Sequence, residues 1–190
     1  TLFYRNVLSG TLDPDKLDYL SRDGFFAGVP YGRQDTDFII SSLSLHNSRL
    51  CIDREAIGSV EQILFSKYMM YKSIYWHKGV RSATAMIKKA LITAINDHSI
   101  TFEDLYGIDD STFFLLCRDK KKMTPALEMV ERVEYNHLLE RKAVKEYERR
   151  GVIETKGKRP EDRIEMENTI YNRLSRNYPL LKPWEVVIDI

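Results

Sequence analysis

Cysteine is nearly absent from this sequence, which has two, Cys51 and Cys117, among 190 residues. With no metal-ligand spacing between them, they exclude a disulfide framework and fit reduced, structural thiols in a cytoplasmic protein. Long apolar runs are also missing. The longest, FFLLC from Phe113, is too short to cross a bilayer, so no membrane segment is expected. Nor does charge of one sign dominate. With 29 basic and 28 acidic residues the net charge is +1, which excludes a global pull toward nucleic acid or a membrane and requires any anion site to be local. Histidine is scarce, at four residues: His46, His77, His98 and His137. None is followed by Asp. There is no internal repeat and no low-complexity segment.

Against these absences, 43% hydrophobic and 30% charged residues are ordinary for a globular chain able to bury a core. The patterning predicts a mainly α protein. TLFYRNVLSG reads as a short helical or extended lead-in, and FFAGVPYG as a turn-rich loop. SLSL and RLCID, punctuated by His46, Asn47 and Ser48, read as a hairpin with His46 solvated in its turn. The longest helical region is Arg54 to Ile95. Val60, Leu64, Tyr68, Tyr71 and Tyr75 form one apolar stripe there, and Val80, Ala83, Ile87, Ala90 and Ala94 another, with a break or kink near Gly79.

Thr101 and Asp104 form a capping box, and Thr124 and Pro125 open a further helix with Leu127, Val130, Val133 and Leu138 inward, in a helical stretch closed by Gly151. A last helix is expected over about Ile164 to Arg176, with Ile164, Ile170, Tyr171 and Leu174 inward. EVVIDI at the end reads as a short strand.

One stretch sets out polar residues as if for chemistry: LDPDKLDYLSRDGFFAGVPYG, from Leu12 to Gly32. Asp13 followed by Pro14 is a helix start, an acidic cap before a proline that gives up an amide with no helical partner. Asp15, Tyr19 and Asp23 then fall at i, i+4 and i+8, with Lys16 beside them and Leu17 and Leu20 opposite. Carboxylates can bind a metal or accept from a hydroxyl, an ammonium can hold phosphate, and a tyrosine ring can pack on a sugar or base. A capped surface helix with an Asp18 to Arg22 pair and solvated charges fits the same spacing. Further on, Lys67, Tyr71 and Tyr75 follow at i+4 steps and offer one face with an ammonium and two phenols. Tyrosines packed in the core with wet hydroxyls are the alternative.

LDPDKLDYLSRDGFFAGVPYG and, later in the same order, SKYMMYKSIYWHKGVRSATAMIKKAL from Ser66 to Leu91 resemble two blocks of the HD-domain deoxynucleoside triphosphate triphosphohydrolases. LLKPWEVVIDI resembles the tail of that family. The resemblance implies a partial HD-domain-like helical bundle over residues 1–100 and a carboxy-terminal helical subdomain over 101–190. It also implies hydrolysis of a deoxynucleoside triphosphate to nucleoside and triphosphate with a divalent metal, Mg²⁺, Mn²⁺ or Fe²⁺, in a homo-oligomer.

At matching positions, Asp15 would be the last metal ligand, Lys16 would contact the phosphate nearest the sugar, Tyr19 would pack on the sugar and Asp23 would accept from the 3′-hydroxyl. Lys67, Tyr71 and Tyr75 would face the substrate. Lys67 stands where many relatives have arginine, giving a point charge in place of a forked grip. The family's upstream His and His-Asp ligands have no counterpart in the fourteen residues before Asp15. The chain therefore reads as the carboxy-terminal part of a longer enzyme, inactive by itself. The rival is a non-catalytic helical module that binds a nucleotide or a protein.

From Arg118 to Pro160 there are 13 Lys and Arg against 8 Asp and Glu. This stripe is a weak candidate for an anionic effector or single-stranded nucleic acid. No aromatic alternates with its densest runs, KKK and KGKR, to stack a base, and a solvated face is the simpler reading.

Overall fold

A computed structural model describes residues 2–10, 12–47, 49–144 and 159–189. Among the described residues the chain is mainly helical with one hairpin, the fold class that the patterning predicts. It divides into two compact units, Thr1–His77 and Lys78–Ile190.

In the first unit, α1 (Leu2–Leu8) leads to α2 (Pro14–Phe26) and α3 (Thr36–Ser41). Strands β1 (Leu43–His46) and β2 (Arg49–Ile52) form the antiparallel hairpin, in the register Leu43 to Ile52 and His46 to Arg49. The turn is closed by Asn47 at φ 50°, and His46 is exposed, as a solvated turn residue would be. A short 3₁₀ turn then opens α4 (Ile57–Met70). Its last carbonyls run on into a π-helical turn, Tyr71–Tyr75, in which Trp76 N–H reaches Tyr71 O at 2.8 Å.

Helix α2 has the predicted start. Asp13 Oδ1 accepts from Lys16 N–H at 2.7 Å, and Pro14 follows as the first helical residue. It ends in a Schellman turn: Gly28 at φ 66° returns its N–H to Phe25 O while Val29 N–H reaches Gly24 O. Leu17 and Leu20 on its inner face join Ile39, Ile63 and Met70 in the core of this unit. Each such buried side chain contributes about 1.5–3 kcal/mol.

The loop after α2 folds back so closely that a Cβ on Gly32 would lie 2.5 Å from Leu20 O, and one on Gly24 would lie 2.7 Å from Tyr31 O. Glycine at both positions is what allows that crossing. The expected α4 stripe is corrected here. Ile63, Ser66 and Met70 are buried, whereas Leu64 and Tyr68 are exposed, because the core contacted by α4 comes from α2 and lies one residue round the helix from the predicted line.

The second unit packs α5 (Lys78–Asn96) against α8 (Glu128–Glu134) and the 3₁₀ turn before it, with α6 (Phe102–Leu105), α7 (Asp110–Lys120) and α9 (Pro160–Leu174) completing it. Met86, Ala90, Ala94, Ile100, Cys117, Leu127, Met129 and Val130 are its core. The Thr101 to Asp104 capping box is present. Helices α5 and α8 also end in Schellman turns, with His98 (φ 55°) and Asn136 (φ 58°) taking the left-handed position. The second of these corrects the expected length of α8. The helix stops at Glu134, since Asn136 turns the backbone and His137 N–H bonds to Arg132 O, and Leu138 follows outside it. The expected closure at Gly151 and most of KGKR lie outside the described residues.

Two expectations about the end of the chain are also corrected. Ile170 and Leu174 of α9 are exposed while Ile164 and Tyr171 are half-buried as expected, and the buried position is taken by Glu167, which is paired with Lys89. No strand forms from Val186 to Asp189. Instead Ile188 N–H donates to Glu167 Oε1 at 2.8 Å, a side chain taking up a backbone bond that a partner strand would have supplied, and the Asp189 side chain pairs with Arg81 at 2.5 Å. Lys182 to Glu128 and Arg132 to Glu185 anchor the same tail at 2.6 and 2.9 Å. Among the described residues, no helix is long and apolar enough to cross a membrane.

Candidate functional site

Within the first unit, α2 and the end of α4 enclose an open cleft of about 530 Å³. Asp13, Asp15, Lys16, Tyr19, Asp23, Lys67, Tyr71 and Tyr75 line it. All seven residues singled out in the sequence thus border one space, although Lys67 follows Asp23 by 44 positions in the chain. Both blocks do so for a helical reason. The first uses one face of α2 at i+4 steps, and the second uses the last turn of α4 and the π turn that prolongs it. A volume in this range suits a small organic ligand.

The aromatic wall is a packed set. Tyr71 and Tyr75 meet edge to face with ring centroids 5.2 Å apart, Tyr19 meets Tyr75 at 6.3 Å, and Lys67 Nζ lies 5.8 Å from the Tyr71 ring. Tyr75 Oη donates to Asp23 Oδ2 at 2.5 Å. Burial and that bond, with the Asp23 charge, push the Tyr75 phenol far above its ordinary value. Burial also raises Tyr19, aided by the nearby Tyr71 and by Asp13, Asp15 and Asp23. Both phenols therefore stay protonated across the physiological range. They are donors and packing surfaces, not bases.

The charges differ in how far they are committed. Lys16 Nζ is held by Asp13 Oδ2 and by Gly10 O, the latter at 2.8 Å. Asp18 pairs with Arg22 outside the cleft, as expected of a capped surface helix. Asp15 is exposed and, among the described residues, accepts no hydrogen bond; Lys67 makes no ion pair. Burial works against the Asp13 carboxylate, but the side-chain and backbone bonds from Lys16, with the charges of Lys16 and Lys67, hold it below the usual range. Among the cleft residues, Asp13 alone is not singled out for the site by sequence, because its capping role accounts for it. The signal is its position at the head of the face that carries Asp15 and Lys16.

A metal centre does not fit the described residues on their own. Among them, no three His, Cys, Asp or Glu side chains converge, and Asp15 stands without companions that could complete a coordination shell. His77 is exposed and does not line the cleft, and His98 serves as a helix cap.

Residues 34–190 match the HD associated region family. The chain belongs to that family. An uncharacterized protein of Methanocaldococcus jannaschii is 34% identical over 108 residues, which is 55% of this chain and 24% of that one. A deoxynucleoside triphosphate triphosphohydrolase SAMHD1 homolog of Dictyostelium discoideum is 26% identical over 128 residues, 65% of this chain and 24% of the relative. The chain thus spans about a quarter of the length of these relatives. Among solved structures, a phosphohydrolase from Bacteroides thetaiotaomicron superposes with a TM-score of 0.60 at 20% identity, over 97% of this chain and 49% of that one. The likeness establishes a shared helical fold.

Proposed function

We propose that the cleft binds a deoxynucleoside triphosphate, as part of an HD-domain phosphohydrolase that releases nucleoside and triphosphate. The observation that carries the reading is the convergence of two ammoniums, three tyrosines and three carboxylates, from two distant helices, on one nucleotide-sized space. Lys16 and Lys67 would hold phosphates as point charges. Tyr19, Tyr71 and Tyr75 would present ring faces and edges to sugar and base, and Asp23, already oriented by Tyr75, would accept from the 3′-hydroxyl. This division of labour binds and orients a nucleotide at both ends, which is most of what a phosphoryl-transfer site asks of side chains other than its metal.

Asp15 would be this chain's contribution to a divalent metal site. No further set of converging ligands is present among the described residues. The similarity to a triphosphohydrolase homolog supports the choice of substrate class. Self-association belongs to the same proposal, and light scattering reads it directly.

Titration calorimetry of the chain with a deoxynucleoside triphosphate tests the reading. Binding that is weakened by Lys67→Ala and competed by inorganic triphosphate is expected. Binding of no nucleotide, or binding indifferent to both Lys16→Ala and Lys67→Ala, overturns it. A second reading, a nucleotide-binding module without catalysis, is favoured by the absence of a converging metal-ligand set among the described residues. Nucleotide binding without triphosphate release from the metal-supplemented complete protein would select it.

A further inference from the structure

Lys16 is the cation best placed at the head of α2 to meet a phosphate, and it is already engaged. Its ammonium lies against Asp13 Oδ2 and Gly10 O, and Asp13 Oδ1 holds the Lys16 backbone N–H. One carboxylate therefore grips Lys16 at both ends. Asp13 is only 7% exposed, so its charge cannot turn away into solvent. By contrast Lys67, across the cleft, makes no ion pair among the described residues and lies 5.8 Å from the Tyr71 ring.

We infer that Asp13 is a gate on Lys16: its carboxylate neutralises the ammonium in the empty site, and a polyphosphate captures Lys16 only by displacing it. The inference rests on the reading of the cleft as a phosphate-binding site. It adds a residue with a specific task, that of setting how tightly phosphate is held. An incoming polyanion meets Lys67 first, then competes with Asp13 for Lys16. On departure, Asp13 recaptures the ammonium, which favours release. The Gly10 carbonyl keeps the lysine at the cleft mouth in both states, so Asp13 governs availability more than position.

The two oxygens of Asp13 can be separated experimentally. Asparagine caps a helix about as well as aspartate, so Asp13→Asn keeps the bond to Lys16 N–H while removing the charge from the ammonium. A structural role alone predicts that anion binding weakens or stays the same in this variant. The gate predicts that it tightens.

The probe is inorganic triphosphate, titrated without metal into the wild-type chain, Asp13→Asn, Lys16→Ala and the double variant, with melting curves for each. The expected result is about tenfold tighter binding in Asp13→Asn, a size consistent with removing one counterion that competes for the ammonium, with a melting temperature somewhat below wild type because the charged pair is lost. The gain should vanish in the Lys16→Ala background, since it acts through that ammonium. Unchanged or weaker binding in Asp13→Asn, with binding still lost in Lys16→Ala, overturns the gate and leaves the nucleotide site standing. Tightening that persists without Lys16 shows plain repulsion and likewise overturns the gate. Absence of triphosphate binding in all four proteins overturns both. Should Asp13→Asn melt early, Asp13→Ser, a neutral cap of different shape, repeats the comparison: tighter binding supports the gate, and unchanged or weaker binding overturns it.

Discussion

The two units use the same charged residue types in opposite ways. In Lys78–Ile190 the described ion pairs fasten helices and tail: Lys89 to Glu167 in the interior, then Arg81 to Asp189, Arg132 to Glu185 and Lys182 to Glu128 along the last residues. In Thr1–His77 several charges border open space, and Asp15 and Lys67 make no ion pair among the described residues, Lys67 lying over the Tyr71 ring instead. A charge closed on a counterion contributes to holding the fold. A charge left open at a cleft is available to a ligand, and keeping it open costs stability that the fold could otherwise have had.

The contrast breaks most sharply at Glu167. Glu167→Ala strands a buried ammonium and the Ile188 N–H together, and should lower stability by about 3–5 kcal/mol in denaturant titration. Nucleotide binding to the remaining folded fraction should be unchanged, and a loss of less than about 1 kcal/mol would show that the pair is not closed as described.

Gly32→Ala comes next. A side chain at φ +103° meets Leu20 O at 2.5 Å, so a cost of about 1–3 kcal/mol is expected, with loosening of α2 and weaker ligand binding. A neutral effect would mean that the loop does not cross α2 so closely.

Lys67→Ala is the mirror image of Glu167→Ala. Triphosphate affinity should fall about tenfold, as for the loss of one charge-assisted contact, while stability stays within about 0.5 kcal/mol. A large fall in stability would place Lys67 among the fastening charges and erase the comparison.

Tyr75→Phe should cost about 1 kcal/mol by freeing Asp23. Because the Tyr75 phenol is held above its ordinary value of 10.0 in the fold, its contribution is full below that pH and is lost as pH rises through the folded value. The variant's stability should therefore be flatter than wild type in alkaline titration. A parallel decline would exclude the Tyr75 to Asp23 bond as its source.

The smallest effect lies at the acid end. Asp13 titrates below its ordinary value of 3.8 in the folded chain, so its contribution is present above that pH and lost as pH falls through the folded value. Asp13→Asn should flatten the acid limb, and an identical limb would remove Asp13 from the set of committed charges.

Much of this is legible from local signals. Asp13-Pro14, the Thr101 to Asp104 box and the punctuation at Asn47 each act within four residues, and the structure has all three. The face carrying Asp15, Tyr19 and Asp23 is equally readable, since helical period alone aligns it. What period cannot tell is which side of α4 meets α2, and hence that Ile63 and Met70 are buried while Leu64 and Tyr68 are not. The tail misleads for a related reason. EVVIDI has strand propensity, but a strand needs a neighbour, and here the Ile188 N–H goes to the Glu167 side chain while Asp189 pairs with Arg81, both distant in sequence. Asp13 is legible as a cap and illegible as a partner of the Lys16 ammonium, because one residue does two things and the simpler one suffices to explain it.

The π turn at Tyr71–Tyr75 makes chain length itself part of the cleft. A bond from Trp76 N–H to Tyr71 O encloses one residue more than an α turn would. Removing a single residue there lets the helix relax to ordinary winding with every backbone bond remade, so the fold would survive the loss. Side chains beyond the turn would keep their register, because the π turn is what absorbs the extra residue, while those within it would be re-aimed as its wide winding closes to about 100° steps. Tyr71 and Tyr75, at the two ends of the turn and packed edge to face, would lose their present spacing. A one-residue deletion in YKSIY should thus be gentle to stability and severe to binding, a pattern that substitutions at the same five positions would not reproduce.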